Sequence, residues 1–297
     1  ILRAINDLEA GGSTAGAAGI NTAYDIAQKY FIDGGNNRVI LATDGDLNVG
    51  LSSESELTRL IEEKRESGVF LSVLGFGTGN YKDNRLEALA DYGNGNYSYI
   101  DSEKEAKKVL VDEMSGTLFT VAKDVKFQLE FNPANVKGYR LIGYENRVMA
   151  AEDFNDDTKD AGEIGAGHSV TVLYEIVPAD SKMELGESEL KYASDSEGVM
   201  GDELLTVNIR YKEPEGSESK LLTYPVNKSL YSDKMSADMN FASCVAEFGM
   251  LLRNSRYIGD VTYKDVSAQL SKYDYSDDDY KDEFIYLVNT MKRRAIN

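Results

Sequence analysis

The chain has little of what most catalytic and metal-cluster chemistries require. Its 297 residues hold one cysteine, one histidine, four prolines and no tryptophan. A single cysteine, Cys244, excludes an internal disulfide. Cys244 and His168 together are too few for a Cys/His zinc site, which needs three or four such ligands. A Ser-His-Asp or Cys-His machine would have to use His168. That residue stands in Ala166-Gly167-His168-Ser169-Val170, at the start of an expected strand, and reads as structural or surface histidine. Cys244 stands in Phe241-Ala242-Ser243-Cys244-Val245, on an apolar helical pattern, and reads as a buried small hydrophobe. Basic residues are also few: 32 Lys and Arg against 51 Asp and Glu, a formal charge of −19. This balance excludes non-specific nucleic-acid binding, which relies on clustered cations, and favours divalent cations. No apolar run approaches the roughly 18–20 residues needed to cross a bilayer, so no transmembrane segment is expected. The chain opens at Ile1, without methionine or a signal peptide and inside a helical pattern. The expectation is a fragment whose leader or lipid anchor would lie upstream.

What is present is an alternation of strand and helix patterns. Ile1, Ile5 and Leu8 have helical spacing, and a second helix is expected over about 16–31 after a glycine-rich turn. Arg38-Val39-Ile40-Leu41-Ala42-Thr43 is a continuous apolar run, as in a strand buried on both faces of a parallel sheet. Helix patterns at 55–67, around Leu86–Ala90 and at 102–120 alternate with strand patterns at Val69–Phe76 and Tyr97–Ile100. This order predicts a doubly wound α/β domain over 1–122. From about 123 the period changes to two. Val125–Phe131, Val170–Ile176, Leu204–Tyr211 and Leu221–Val226 predict an antiparallel β-sandwich over 123–233, the last two joined by a hairpin loop at Glu213–Ser217. Residues 234–297 predict a C-terminal helical segment. Its helices cover Ala237–Asn254, a stretch after the capping-box pattern Thr262-x-x-Asp265, and about 279–294.

Two segments carry chemistry. Gly11-Gly12-Ser13-Thr14-Ala15-Gly16 is a glycine-rich loop entering a helix, and Ala42-Thr43-Asp44-Gly45-Asp46 ends a buried strand. Ligands of doubly wound sheets bind outside the carboxyl ends of the strands, which is where Asp44 is expected. On ordinary grounds Thr14 reads as a helix cap and Asp44 as a turn aspartate. Taken together, in this order, the two resemble the metal-ion-dependent adhesion site of von Willebrand factor A (VWA) domains, which are Rossmann-like. Thr14 matches that motif's threonine and Asp44 its later aspartate. Its first part, Asp-x-Ser-x-Ser, does not precede Gly11 here, so the domain is expected to be N-terminally truncated. More narrowly, 8–16, 38–50 and Glu152-Asp-Phe-Asn-Asp-Asp-Thr-Lys-Asp-Ala-Gly-Glu-Ile-Gly-Ala-Gly-His168 resemble bacterial VWA proteins of the YfbK type. The resemblance implies a metal site holding Mg²⁺, Mn²⁺ or Ca²⁺ on Thr14 and Asp44, hard oxygen donors suited to such ions. It also implies a protein partner whose acidic side chain completes the coordination. The location it implies is extracellular or in the cell envelope, lipid-anchored or periplasmic. The function expected is therefore metal-dependent binding or adhesion, not catalysis. The alternative is a structural or assembly protein of the envelope acting through the sandwich and helices. A metal-assisted hydrolase is a third reading, against which the lone His168 and the lack of a nucleophile–base pair count.

Weaker candidates are acidic or glycine-rich. Asp153 to Asp160 has the look of a calcium loop but lacks the EF-hand glycine and distal glutamate, so an exposed loop is expected. Asp277-Asp278-Asp279 reads as a helix cap. Gly75-Phe76-Gly77-Thr78-Gly79 lacks a Walker lysine and Rossmann spacing, so nucleotide binding is rejected.

Overall fold

A computed structural model of the chain describes residues 2–7, 9, 16–44, 54–78, 83–113, 116, 119–144, 147–159, 161–185, 201–214 and 216–295. The chain divides into two compact units. One comprises 1–125, 161–169 and 212–217, the other 126–160, 170–211 and 218–297.

The first unit carries α1 (Leu2–Asn6), α2 (Gly16–Lys29), β1 (Arg38–Thr43), α3 (Glu54–Arg65), β2 (Phe70–Phe76), α4 (Asp83–Tyr92), β3 (Tyr97–Ile100) and α5 (Glu103–Lys107). The strands form a parallel sheet in the order β1-β2-β3, with Thr43 opposite Gly75 and Phe76 opposite Ile100. One face is covered by helices: Ile20 and Tyr24 of α2, Leu57 and Ile61 of α3, and Leu86 and Leu89 of α4 pack on Leu71 and Val73. Val39, Leu41 and Tyr97 join that core from the same face. The other face is covered at β2 and β3, where Leu74 and Ile100 meet Val109 and Ala106. Helices on both faces make this a doubly wound arrangement. Each fully buried leucine or isoleucine there contributes about 1.5–3 kcal/mol.

Two expectations change. β1 is buried on one face only: Ile40 is 49% exposed. The reason is its place at one end of the three-stranded sheet, beyond the reach of Ala106 and Val109, which cover β2 and β3. The helix expected over 102–120 is also shorter. Ser102 caps α5, a π-helical turn follows over Lys108–Asp112, and a strand begins at Thr120. Val109 is buried, but Leu110 and Val111 are exposed, so the apolar spacing does not correspond to one buried stripe.

From Thr120 the sheets are antiparallel. β4 (Thr120–Phe131), β6 (Gly162–Gly165), β8 (Glu203–Lys212) and β9 (Lys220–Asn227) form a sheet in the order β6-β4-β8-β9. β5 (Val136–Ile142) and β7 (Leu173–Pro178) form a second. Phe131 of β4 stacks on Tyr139 of β5, with ring centroids 3.9 Å apart. The expected β8–β9 hairpin is present, whereas Val170, Thr171 and Val172 precede β7 instead of opening it. The alternation in β4 breaks at one step: Lys126 is 3% exposed while Phe127 lies outside, although Glu130 farther along is exposed as the alternation expects. A bulge between Ala122 and Val125, with Asp124 at φ 51°, shifts the register just before it.

The remaining helices are α6 (Ala237–Leu252), α7 (Tyr263–Leu270) and α8 (Asp279–Arg294). Cys244, Val266, Leu270, Tyr275 and Val288 form their core, and Phe241 and Phe248 meet Phe284 edge to face. Each helix starts on a side-chain cap. Ser236 accepts from Met239 N, Thr262 and Asp265 complete the reciprocal box, and Asp278 accepts from Tyr280 N and Lys281 N.

Candidate metal centre

The carboxyl ends of β1, β2 and β3 form one rim. β1 ends at Thr43, which leaves Asp44 on that rim as an exposed carboxylate. Gly77 follows β2 at φ 93°, a conformation that side chains rarely adopt. A Cβ built on Gly77 would lie 3.7 Å from Asp44 Cβ, so the two rim turns are adjacent. The Tyr99 hydroxyl of β3 donates to the Gly77 carbonyl at 2.6 Å, fixing the middle turn against its neighbour. The helix leading into β1 is α2, whose first residues, Gly16 and Ala17, are buried. A crossover helix runs antiparallel to the strand it feeds, so the start of α2 belongs to this same rim.

Asp44 is therefore where the sequence places it. Thr14 and the glycine-rich loop 11–15 lie outside the described residues, as do Gly45 and Asp46. Among the described residues no group of three His, Cys, Asp or Glu side chains is placed to hold a metal ion. In donor chemistry Asp44 fits a hard divalent cation as one ligand. A complete coordination set would need hydroxyl or water oxygens beside it.

The other candidates resolve into structure. Cys244 is buried in the helical core, and burial pushes its thiol up to about 11. His168 is exposed, with Nδ1 facing Gly116, where a Cβ would come within 2.9 Å. The glycines of Gly162-Glu-Ile-Gly-Ala-Gly-His168 have a packing role: a Cβ on Gly165 would fall 1.3 Å from the Gly116 carbonyl oxygen. Asp278 is a helix cap, as expected.

In the turn at 153–159 each described carboxylate already has a protein donor. Asp156 accepts from Thr158 N and Oγ1 at 2.9 and 2.7 Å, which holds its carboxyl below the usual range. Asp157 accepts from Ser219 N at 3.2 Å and faces Arg210 at 3.6 Å, and Asp153 faces Lys159 at 3.5 Å. The rim contact of Tyr99 with Gly77 and the burial of Lys126 had no signal in the sequence pattern. An αL aspartate before Lys126 is visible only in the fold.

A family model described as "Uncharacterized protein YfbK, C-terminal" matches residues 116–293. The protein "Uncharacterized protein YfbK" of Escherichia coli (strain K12) is 45% identical over 290 residues, which is 96% of this chain and 50% of that protein. The chain thus spans about half the length of the curated relative it matches. Among solved structures, a "von Willebrand factor type A from Catenulispora acidiphila" is 15% identical with a TM-score of 0.40, over 90% of this chain and 60% of that one. The human COPII-coat protein Sec24c is 12% identical with a TM-score of 0.36, over 84% of this chain and 33% of that one.

Proposed function

The chain belongs to the YfbK family, and from that premise we propose that it is part of a divalent-metal-dependent protein-binding module of the VWA type, in a bacterial cell-envelope protein. The observation that carries this reading is Asp44. It is an exposed carboxylate at the carboxyl rim of a parallel sheet, held beside the Gly77 turn. It also sits in the segment Thr43-Asp44-Gly45, after one helix and one strand of the parallel sheet, the order of the adhesion-site motif it resembles.

In this reading Asp44 and Thr14 are two ligands of a Mg²⁺, Mn²⁺ or Ca²⁺ site. A cation held by few carboxylates keeps residual positive charge. It binds an acidic side chain of a protein partner, which needs no nucleophile or general base. The overall charge of −19 does not attract such a partner by itself, so the cation supplies the local attraction. An envelope location, periplasmic or lipid-anchored, belongs to the same proposal.

The test uses the full-length protein with Mn²⁺ alone as the probe, read by calorimetry or by the spin-resonance signal of the bound ion. One strong site is expected, and Asp44→Ala should lower its affinity at least about tenfold, the loss of one charged ligand. Equal Mn²⁺ affinity in the variant would sink the metal role of Asp44. The alternative, an assembly role carried by the antiparallel sheets and helices, predicts that Asp44→Ala leaves partner capture unchanged while deletion of 123–297 abolishes it.

A further inference from the structure

The acidic turn that most resembles a calcium loop is filled from within. The turn consists of a 3₁₀ helix, Ala151–Asn155, followed by Asp156 to Lys159. Lys126, on β4, is 3% exposed, and its Nζ donates to the carbonyl oxygens of Asp153 at 3.1 Å and Asp156 at 2.5 Å. The same two carbonyls accept the turn's own N–H groups, from Asp156 and Lys159 respectively, each at 3.2 Å. Phe154, in the middle of the 3₁₀ helix, is buried. The carboxylates are engaged elsewhere, and Lys126 is only a lesser influence on that of Asp156. Asp156 is held by Thr158, and Asp157 by Ser219 and Arg210.

An ammonium buried this deeply is costly unless its hydrogens are taken up. Two backbone carbonyls take up two of its three hydrogens, as carbonyl oxygens would face a metal ion. We propose that Lys126 is the resident cation of this turn. Its ammonium occupies the position that a divalent ion fills in a calcium loop, so that 151–159 keeps its shape in the absence of any metal. The role is structural and positioning: it fixes Asp157 against the β8–β9 hairpin end through Arg210 and Ser219. If the proposed Asp44 site exists, chelators then act on that site without loosening this turn.

Hydrogen exchange of peptides covering 151–159 tests this in the full chain. In the wild-type protein their exchange should be the same in EDTA and in millimolar calcium. In Lys126→Met, which keeps the stem and removes the charge, it should accelerate at least about tenfold while α2 and β2 keep their protection. Slower wild-type exchange of these peptides in calcium would overturn the proposal. So would a Lys126→Met protein as protected there as the wild type. The calcium comparison needs no variant and remains decisive if Lys126→Met does not fold. It reads a segment remote in sequence from Asp44, so it fails or holds independently of the metal reading above.

Discussion

Each unit buries a tyrosine, and the two hydroxyls are treated differently. Tyr24 of α2 is 0% exposed among Ile20, Leu57, Ile61 and Leu71, and its hydroxyl has no hydrogen-bond partner among the described residues. Tyr275, between α7 and α8, is 4% exposed. Its hydroxyl donates to the Ala237 carbonyl at 2.8 Å and accepts from Asn240 Nδ2 at 3.1 Å, while Asn240 also donates to the Gln269 carbonyl. The helical region therefore satisfies these buried polar groups locally, with partners drawn from its own helices. The α/β core is held by apolar area and shape, and there an unpaired hydroxyl is carried by the ring beneath it. An unsatisfied buried hydroxyl costs about 1–3 kcal/mol, so Tyr24 is retained for its volume.

The largest effect comes from removing both rings. Tyr24→Ala and Tyr275→Ala should each cost about 3–5 kcal/mol in urea unfolding, because each leaves an aromatic-sized cavity in a close-packed core. Similar losses would place the difference between the two sites in the hydroxyl and not in the packing. Tyr275→Phe is the sharper experiment. It strips the Asn240 amide of one acceptor and the Ala237 carbonyl of one donor, so a loss of about 1–3 kcal/mol is expected. A Tyr275→Phe protein as stable as wild type would erase the contrast from the helical side.

Much of this contrast is open to sequence reading, and some is not. The apolar run Arg38–Thr43 coincides with β1, and α8 begins and ends at the expected residues, because both are continuous local patterns with clear stops. β5 and β6 have no such pattern. β5 is broken by Lys137-Gly138, and β6 is four residues long with two glycines. At the candidate site Asp44 is legible as an aspartate ending an apolar strand run. The Tyr99–Gly77 contact is not, since it joins residues 22 apart across neighbouring strands and leaves no periodic trace. Lys126 is hidden for a related reason. Period-two alternation places it in solvent, whereas in the fold it is buried just after the register shift between Ala122 and Val125, where Asp124 takes a left-handed φ.

A smaller effect is expected at the cap of α7. Thr262→Ala should cost about 1 kcal/mol, the usual loss on deleting an N-cap oxygen. It should be confined to the helical region, with exchange in α2 and β2 unchanged. Spread of the effect into the α/β core would contradict the picture of a locally self-sufficient helical region.

The smallest signal is that of one phenol among 19 tyrosines. Burial pushes Tyr24 up to about 12 from its ordinary 10.0. A raised folded-state value means that the neutral phenol is favoured in the native core. The stability Tyr24 contributes is then intact below pH 10.0 and is lost as pH rises through about 12, because the unfolded chain releases the proton first. Tyr24→Phe removes this coupling along with the unpaired hydroxyl. Near neutral pH the variant should be as stable as wild type or slightly more so, and its stability should fall less steeply between those two pH values. In an absorbance titration of the folded protein, the difference between wild type and variant should be one tyrosinate, emerging only toward the upper end of that range. A Tyr24 that ionises near pH 10, or a Tyr24→Phe protein that loses as much stability as Tyr275→Phe, would mean that the α/β core gives this hydroxyl a partner after all.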